Sequence, residues 1–324
     1  MNRRRILAAV LTLAVVGATV ATTASARQQA PRKTYTIYLI PGIASDAFYT
    51  TMHKGAVAEA AKHGIKLVFQ GSPTAFSPPT QIPFLDAAIA RKPDAILIAP
   101  TDKTALIAPI KKAIAAGIPV FTVDTFISSP IAISNVSSDN VAGGKAAAKA
   151  LAQAIGKKGS VAAISVAPGI STTDQRKQGF ESGIKAYSGI KYLGTQFDND
   201  DQTKASQEAS ALITAHSDLA GIFAMNVISG NGVTSAVKSA GKSGKVKLVE
   251  FDAEPLQVQA LKAGTIDALV AQDPYGIGQK AVSLAYQYLT KGKAGIAKHY
   301  GTGAAIITKA NVSSPSIKKF LYTK

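Results

Sequence analysis

The chain has 324 residues, 47% of them hydrophobic, which supplies about two domains with sizeable cores and argues against disorder. Its formal net charge is +17, but the lysines stand singly or in pairs such as Lys111-Lys112, Lys157-Lys158 and Lys318-Lys319. Without an arginine-rich or aromatic-interleaved run this is a solvated basic surface, and nucleic acid is excluded as a partner. There is no cysteine, so a disulfide, a thiolate metal site, a Cys nucleophile and a lipidated Cys anchor are excluded as well.

Residues 1–26 read as a signal peptide. Arg3, Arg4 and Arg5 form a basic start, 6–20 is mostly apolar, and Ala24-Ser25-Ala26 has the small-x-small form of a cleavage site after Ala26. A membrane anchor is the alternative, but the apolar run is short and Thr12, Gly17 and Thr19 interrupt it. No later segment resembles a membrane span, so the exported chain is expected free in a periplasm.

From Thr34 onward short β-branched runs alternate with alanine-rich amphipathic segments. The spacing predicts strands over 34–40, 65–70, 94–99 and 120–124, with helices over 47–63, 80–91 and 103–116. Gly64 and Gly117 stop the first and third of these helices. The series then restarts, with helices over 139–155, 173–187, 203–215, 229–240, 254–263 and 275–291. Its strands are expected over 160–167, 190–197, 220–225, 246–252, 267–273 and 304–308. Such alternation implies parallel, doubly wound sheets, in two α/β lobes of similar build. One loop is also written twice, as "LIPGIASDAFY" over 39–49 and "APGISTTDQ" over 167–175.

Ligands of open parallel sheets sit at the carboxyl ends of the strands. There the sequence places Asp46 with Phe48 and Tyr49, Thr101-Asp102, Asp124-Thr125-Phe126, Thr173-Asp174-Gln175-Arg176, Asp200-Asp201, Asn226, Asp252 and Gln272-Asp273. Each Asp or Asn alone is an ordinary helix cap, and the aromatic pair alone is ordinary core. The full set makes a polar cleft. Carboxylates and amides can each engage neighbouring hydroxyls while an aromatic ring covers a C–H face, so the cleft suits a sugar or polyol. Arg176 is the one strong cation near these loops, which argues against a phosphate or carboxylate ligand.

Catalytic and cofactor readings find no support. His53, His63, His216 and His299 lack metal-ligand spacing, and "PGIAS" and "PGIST" are not nucleophile elbows. No Gly-rich phosphate loop is present, since "VAGGKAAAKAL" over 141–151 reads as helix, and no carboxylate pair stands out for acid and base roles. No cofactor, metal or enzymatic activity is expected.

With these features placed, the sequence resembles the periplasmic sugar-binding proteins of the ribose-binding type over essentially all of 34–310. "SDAFYTTMHKGAVAEAAKHGIKL", "RKPDAILIAPTDKTAL", "AIAAGIPVFTVDT", "QRKQGFESGI" and "VEFDAEPLQVQALKAGTIDALVAQDPYGIGQKAV" carry the likeness. The resemblance implies two Rossmann-like doubly wound parallel-sheet lobes joined by three hinge crossings, near Ser138-Asp139, Gln272-Asp273 and 299–303. It divides the chain into 27–138 plus 273–301 and 139–272 plus 302–324. It implies hinge closure on one sugar and docking on ABC importer permease subunits or a chemoreceptor, by a monomer.

The family's sugar positions fall on Asp46, Phe48, Tyr49, Asp124, Asn226, Asp252 and Gln272, and Thr101, Asp174, Gln175 and Arg176 complete the expected ligand set. This chain has Thr125 and Asp174 where ribose binders have arginines, Asp200 where they have an aromatic, and Asp46 where they have Asn. Ribose is therefore not the expected ligand. "TTDQ" over 172–175 and "GTQFDNDDQTKA" over 194–205 resemble autoinducer-2 and rhamnose binders, which bring an Asp-Gln pair to the ligand. Autoinducer-2 binders, however, have Lys where Gly42 stands. The expected function is binding of a neutral monosaccharide or polyol for an ABC importer, with an autoinducer-2-like or deoxysugar binder as the alternative. A sugar-modifying enzyme lacks a catalytic constellation. A ligand-sensing repressor of this fold would need a helix-turn-helix of about 50–60 residues that 27–33 cannot hold.

Overall fold

The computed structural model describes residues 33–322, so the expected signal peptide lies outside the described residues. The first lobe runs β1 (Thr36–Ile40), α1 (Ala47–His63), β2 (Lys66–Phe69), α2 (Pro78–Ala90), β3 (Ala95–Ile98), α3 (Ile107–Ala115), β4 (Val120–Val123) and β5 (Asn135–Ser138). The chain then crosses into α4 (Asn140–Ala154), β6 (Gly159–Ser165), α5 (Ser171–Ile184), β7 (Ile190–Phe197), α6 (Gln202–Ala215) and β8 (Leu219–Ala224). The second lobe continues with α7 (Val227–Ser239), β9 (Lys247–Phe251), α8 (Pro255–Ala263) and β10 (Ala268–Gln272). It crosses back into α9 (Pro274–Lys291), adds β11 (His299–Thr302) to the first sheet, and crosses a third time into β12 (Ala304–Ile307).

The two six-stranded sheets have equivalent orders, β11-β5-β4-β3-β1-β2 and β12-β10-β9-β8-β6-β7. All pairings are parallel except β10 with β12. Strand side chains alternate between two faces, and each face of each sheet carries its own apolar cluster. In the first sheet Ile37, Leu39, Leu97, Phe121 and Val123 face α1 and α9, whereas Ile40, Ile96, Ile98 and Val120 face Leu85 of α2 and Ile110 of α3. With both faces covered, β3 and β4 are buried throughout, which is why β3 reads as a continuous apolar run and β4 is broken only by Thr122.

Local signals fix the helix that opens the first lobe. Asp46 caps α1 by accepting from Phe48 N, and Gly64 ends it in the left-handed region at φ 64°. Two strands escaped the sequence reading, β5 ("NVSS") and β11 ("HYGT"). Both are four residues long and polar, so they lack the apolar signature of the central strands. The predicted helix over 103–116 begins only at Ile107, because Asp102 Oδ1 takes the Thr104 and Ala105 N–H groups into a turn.

The crossings exchange helices between lobes. Helix α4 leaves the first sheet and packs on α5 of the second lobe, while α9 leaves the second sheet and packs on α1 of the first. Both contacts are backbone-close. A Cβ on Gly278 would stand 2.0 Å from Met52 O, and one on Gly144 would stand 2.1 Å from Arg176 O. Carbonyls inside a helix cannot move aside. Gly278→Ala or Gly144→Ala should therefore cost about 1–3 kcal/mol in denaturant unfolding, as overpacked core substitutions do.

Candidate functional site

Each of the paired sheets ends its strands toward the same cleft, and the two lobes repeat one local device there. Asp124 follows β4 and Asp252 follows β9, the equivalent strand of the other sheet. Both adopt positive φ, 58° and 78°, and their N–H groups donate to Val136 O (2.8 Å) and Val270 O (2.9 Å). Aspartate tolerates this region better than most residues, but the conformation still costs energy and turns both carboxylates into the cleft.

Around them closes one cavity, lined by Asp46, Phe48, Tyr49, Phe76, Asp124, Arg176, Asp200, Asn226, Asp252 and Gln272, with Thr172 and Thr173 on its wall. It gives the centres of water-sized molecules about 50 Å³. At roughly 10–15 Å³ for one such molecule, that is room for a few waters or one small polyhydroxylated ligand.

The hydrogen bonds leave an excess of acceptors. Asp124 Oδ2 accepts from Tyr49 OH (2.9 Å). Asp252 Oδ1 accepts from Gln272 Nε2 and Tyr322 OH (2.7 Å each). Asp200 Oδ1 accepts from Asn226 Nδ2 (2.6 Å). Gln272 Oε1 is buried and has no donor among the described residues. Against four acids stands the Arg176 guanidinium, stacked 3.8 Å over the Phe251 ring. Its Nε donates to Asn140 Oδ1 (2.9 Å) and its Nη1 to Met225 O (2.6 Å). Phe48 meets Tyr49 edge-on at 5.2 Å and Tyr322 at 5.9 Å, giving the cavity an aromatic wall.

Burial raises the acids. The Asp46 carboxyl is pushed up to about 8, first by desolvation and further by Asp252 and Asp200, with the Phe48 N–H opposing. Desolvation likewise lifts Asp124 to about 6, held down in part by Arg176, and Asp200 to about 6, held down by Asn226.

Eight of the eleven expected ligand residues meet in this cavity and three do not. Thr101 Oγ1 donates to Gln81 Oε1 (3.0 Å), and Gln81 is a buried brace between Pro41 and Ala99 carbonyls. Asp174 and Gln175 point away because α5 already begins at Ser171, and at about 100° per residue Thr172, Thr173 and Arg176 share the inward face. Gln175 lines a separate hollow with Phe126, Asn135 and His299. Asp174 stands outside the site, but two positions on Arg176 puts a guanidinium into it, so the second loop does not lack its arginine. Thr173 and Asp200, placed at the strand ends by the sequence but not in the expected ligand set, line the cavity, as do Phe76 and Thr172, which the sequence does not single out; Phe76 sits in a loop with no periodic signal. The Phe76 ring needs Gly42, where a Cβ would meet it at 2.2 Å, so the site has no place for a lysine there.

Outside the cavity the lobes also touch directly. Lys103 N donates to Gly169 O (2.9 Å), Phe126 N to Ser171 Oγ (2.9 Å), and Lys103 Nζ pairs with Asp174 Oδ2 (2.7 Å).

The comparisons agree with this architecture. The model of the periplasmic binding protein domain matches residues 37–294. The chain is 32% identical to the ribose import binding protein RbsB of Escherichia coli (strain K12), over 89% of this chain and 94% of that one. An ABC transporter solute-binding protein from Agrobacterium vitis, solved with bound α-D-tagatopyranose, is 48% identical at a TM-score of 0.87, covering 90% of this chain and 100% of its own. A second from the same organism, solved with D-fucose, is 34% identical at a TM-score of 0.84, covering 89% and 100%.

Two outcomes follow from the geometry. Acids raised in the folded state hold protons that the unfolded chain releases near pH 4, so their contribution to stability is full below that value and is lost as pH rises to about 8. Thermal unfolding of the ligand-free protein should show this fall, and Asp46→Asn should flatten its upper part, between pH 6 and 8. The Lys103–Asp174 pair is about one-third exposed on each side and worth little by itself. Lys103→Ala should leave unfolding within about 0.5 kcal/mol and speed release of the cavity's occupant about 2–5-fold in stopped flow.

Proposed function

Because the chain belongs to the periplasmic binding protein family, we propose that it is the solute-binding component of an ABC importer and captures one neutral monosaccharide between its lobes. The observation that carries this is the donor–acceptor balance of the cavity. The carboxylates of Asp124, Asp200 and Asp252, the Asp46 carboxyl and the Gln272 carbonyl offer more acceptor sites than Tyr49, Tyr322, Asn226, Gln272 and Arg176 fill with hydrogens. A ring of hydroxyls brings the missing donors, and the Phe48–Tyr49 wall covers its C–H face. A sugar phosphate or sugar acid would set negative charge against this cluster.

The size of the cavity favours a single ring over an oligosaccharide. The relative solved with α-D-tagatopyranose supports a ketohexopyranose as the first sugar to test, ahead of aldopentoses and 6-deoxyhexoses. The autoinducer-2-like alternative loses support from Gly42, Asp174 and Gln175. Mechanically, the ligand adds bonds to Asp46 and Asp124 from one lobe and to Arg176, Asn226 and Asp252 from the other. This shifts an open–closed population about the three crossings. Export through the 1–26 leader, a periplasmic location and action as a monomer belong to the same reading.

Thermal shift across ketohexoses, aldohexoses, pentoses, deoxysugars and alditols tests it. A sugar at 100 times its Kd stabilises by about 2.7 kcal/mol, a readily measured rise in Tm. Asp252→Ala should abolish the shift and Asp252→Asn weaken it strongly. Stabilisation by amino acids and by no sugar would defeat the proposal.

A further inference from the structure

One acid in the cavity owes its place to a turn rather than to a strand or helix end. Asn199 and Asp200 both have positive φ, 58° and 61°, and two successive non-glycine residues in this region cost about 1–3 kcal/mol each. What holds them is Asp198, fully buried directly after β7. Its Oδ1 accepts from Asp200 N (2.7 Å) and its Oδ2 from Ser229 Oγ (2.5 Å). Ser229 is also fully buried, in the first turn of α7. Asn226 closes the ring: its Oδ1 accepts from Ser229 N (2.9 Å), and its Nδ2 donates to Asp200 Oδ1. Burial lifts the Asp198 carboxyl to about 7, so this support has an electrostatic cost as well as a conformational one.

The whole arrangement fixes one group, the Asp200 carboxylate, on the wall of the cavity. Its Oδ2 has no hydrogen-bond partner among the described residues. We propose that Asp200 is a specificity-determining residue of the monosaccharide site, its Oδ2 taking a hydroxyl hydrogen from the sugar, and that Asp198 and Ser229 are positioning residues for it. The inference rests on the sugar-binding reading and narrows it to neutral sugars that carry a hydroxyl at the carbon facing Asp200. A deoxy analogue at that carbon leaves a desolvated carboxylate without a donor, which a hydrogen-bonding site penalises far more than a missing contact.

The test is calorimetric titration of the best-binding sugar of the thermal-shift panel and each of its monodeoxy derivatives. The proteins compared are wild type, Asp200→Ala, Asp200→Asn and Ser229→Ala, with unfolding midpoints confirming that each variant is folded. In the wild type one derivative should bind about 10–100-fold more weakly than the parent because of this contact. Asp200→Ala should bring that one penalty to within about twofold while the other deoxy penalties persist. Asp200→Asn, which keeps an acceptor, should retain part of it. Ser229→Ala should reduce the same penalty and no other, a pattern that a general loss of stability would not give. Survival of every deoxy penalty in Asp200→Ala overturns the assignment and leaves the sugar reading intact. Absence of any sugar titration with folded wild type overturns both.

Discussion

Four acids gathered around one guanidinium cannot be left dry without hydrogen-bond donors, and the rest of this molecule is arranged around that constraint. The acids are brought together by the topology itself. Parallel strands deliver their carboxyl ends to one edge, and two sheets of equivalent order present those edges to each other. Tyr49, Tyr322, Asn226 and Gln272 supply part of the need from the protein. What is left over defines the occupant: small, uncharged and rich in hydroxyl hydrogens.

The twofold repetition reaches from the sheets down to single dihedral angles. Asp124 and Asp252 sit at matching strand ends, in the same left-handed region, with matching N–H partners. The duplicated Pro-Gly-Ile loop obeys the repetition less well. In the first copy Asp46 caps a helix that begins at Ala47, whereas in the second the helix begins at Ser171 and Asp174 falls inside its first turn. The same letters thus face the ligand in one lobe and the rim in the other. At the rim Asp174 acquires a different task, holding Lys103 across the cleft.

Much of the fold was legible because the central strands are apolar on both faces and several helices, α1, α8 and α9 among them, stop at glycines. Helix α1 spans the expected 47–63 and ends at Gly64, the stop its sequence carries. Strands β5 and β11 were not, since a short polar strand at the sheet margin carries no period-two or continuous apolar signal. Within the site, residues immediately after strands (Asp124, Asn226, Asp252) were readable from strand boundaries alone. On α5 only Arg176 was, because which of Thr172, Thr173, Asp174, Gln175 and Arg176 faces inward depends on where the helix starts. Phe76 and Tyr322 come from loops, and only the folded chain brings Phe76 to the cavity and Tyr322 against its Asp252 and Phe48.

Tyr322 also has a practical consequence. Its ring meets Phe48 of the first lobe, its hydroxyl bonds Asp252 of the second, and its N–H is held by Ala253 O. The segment after Phe320 is thus a fourth link between the lobes, although it is not one of the three chain crossings. The opening proposed above would either carry this link along with one lobe or peel it from the other. On the proposed motion, a fluorescent label placed beside Tyr322 would sit on the joint itself, and its signal would report the ligand while also perturbing its capture.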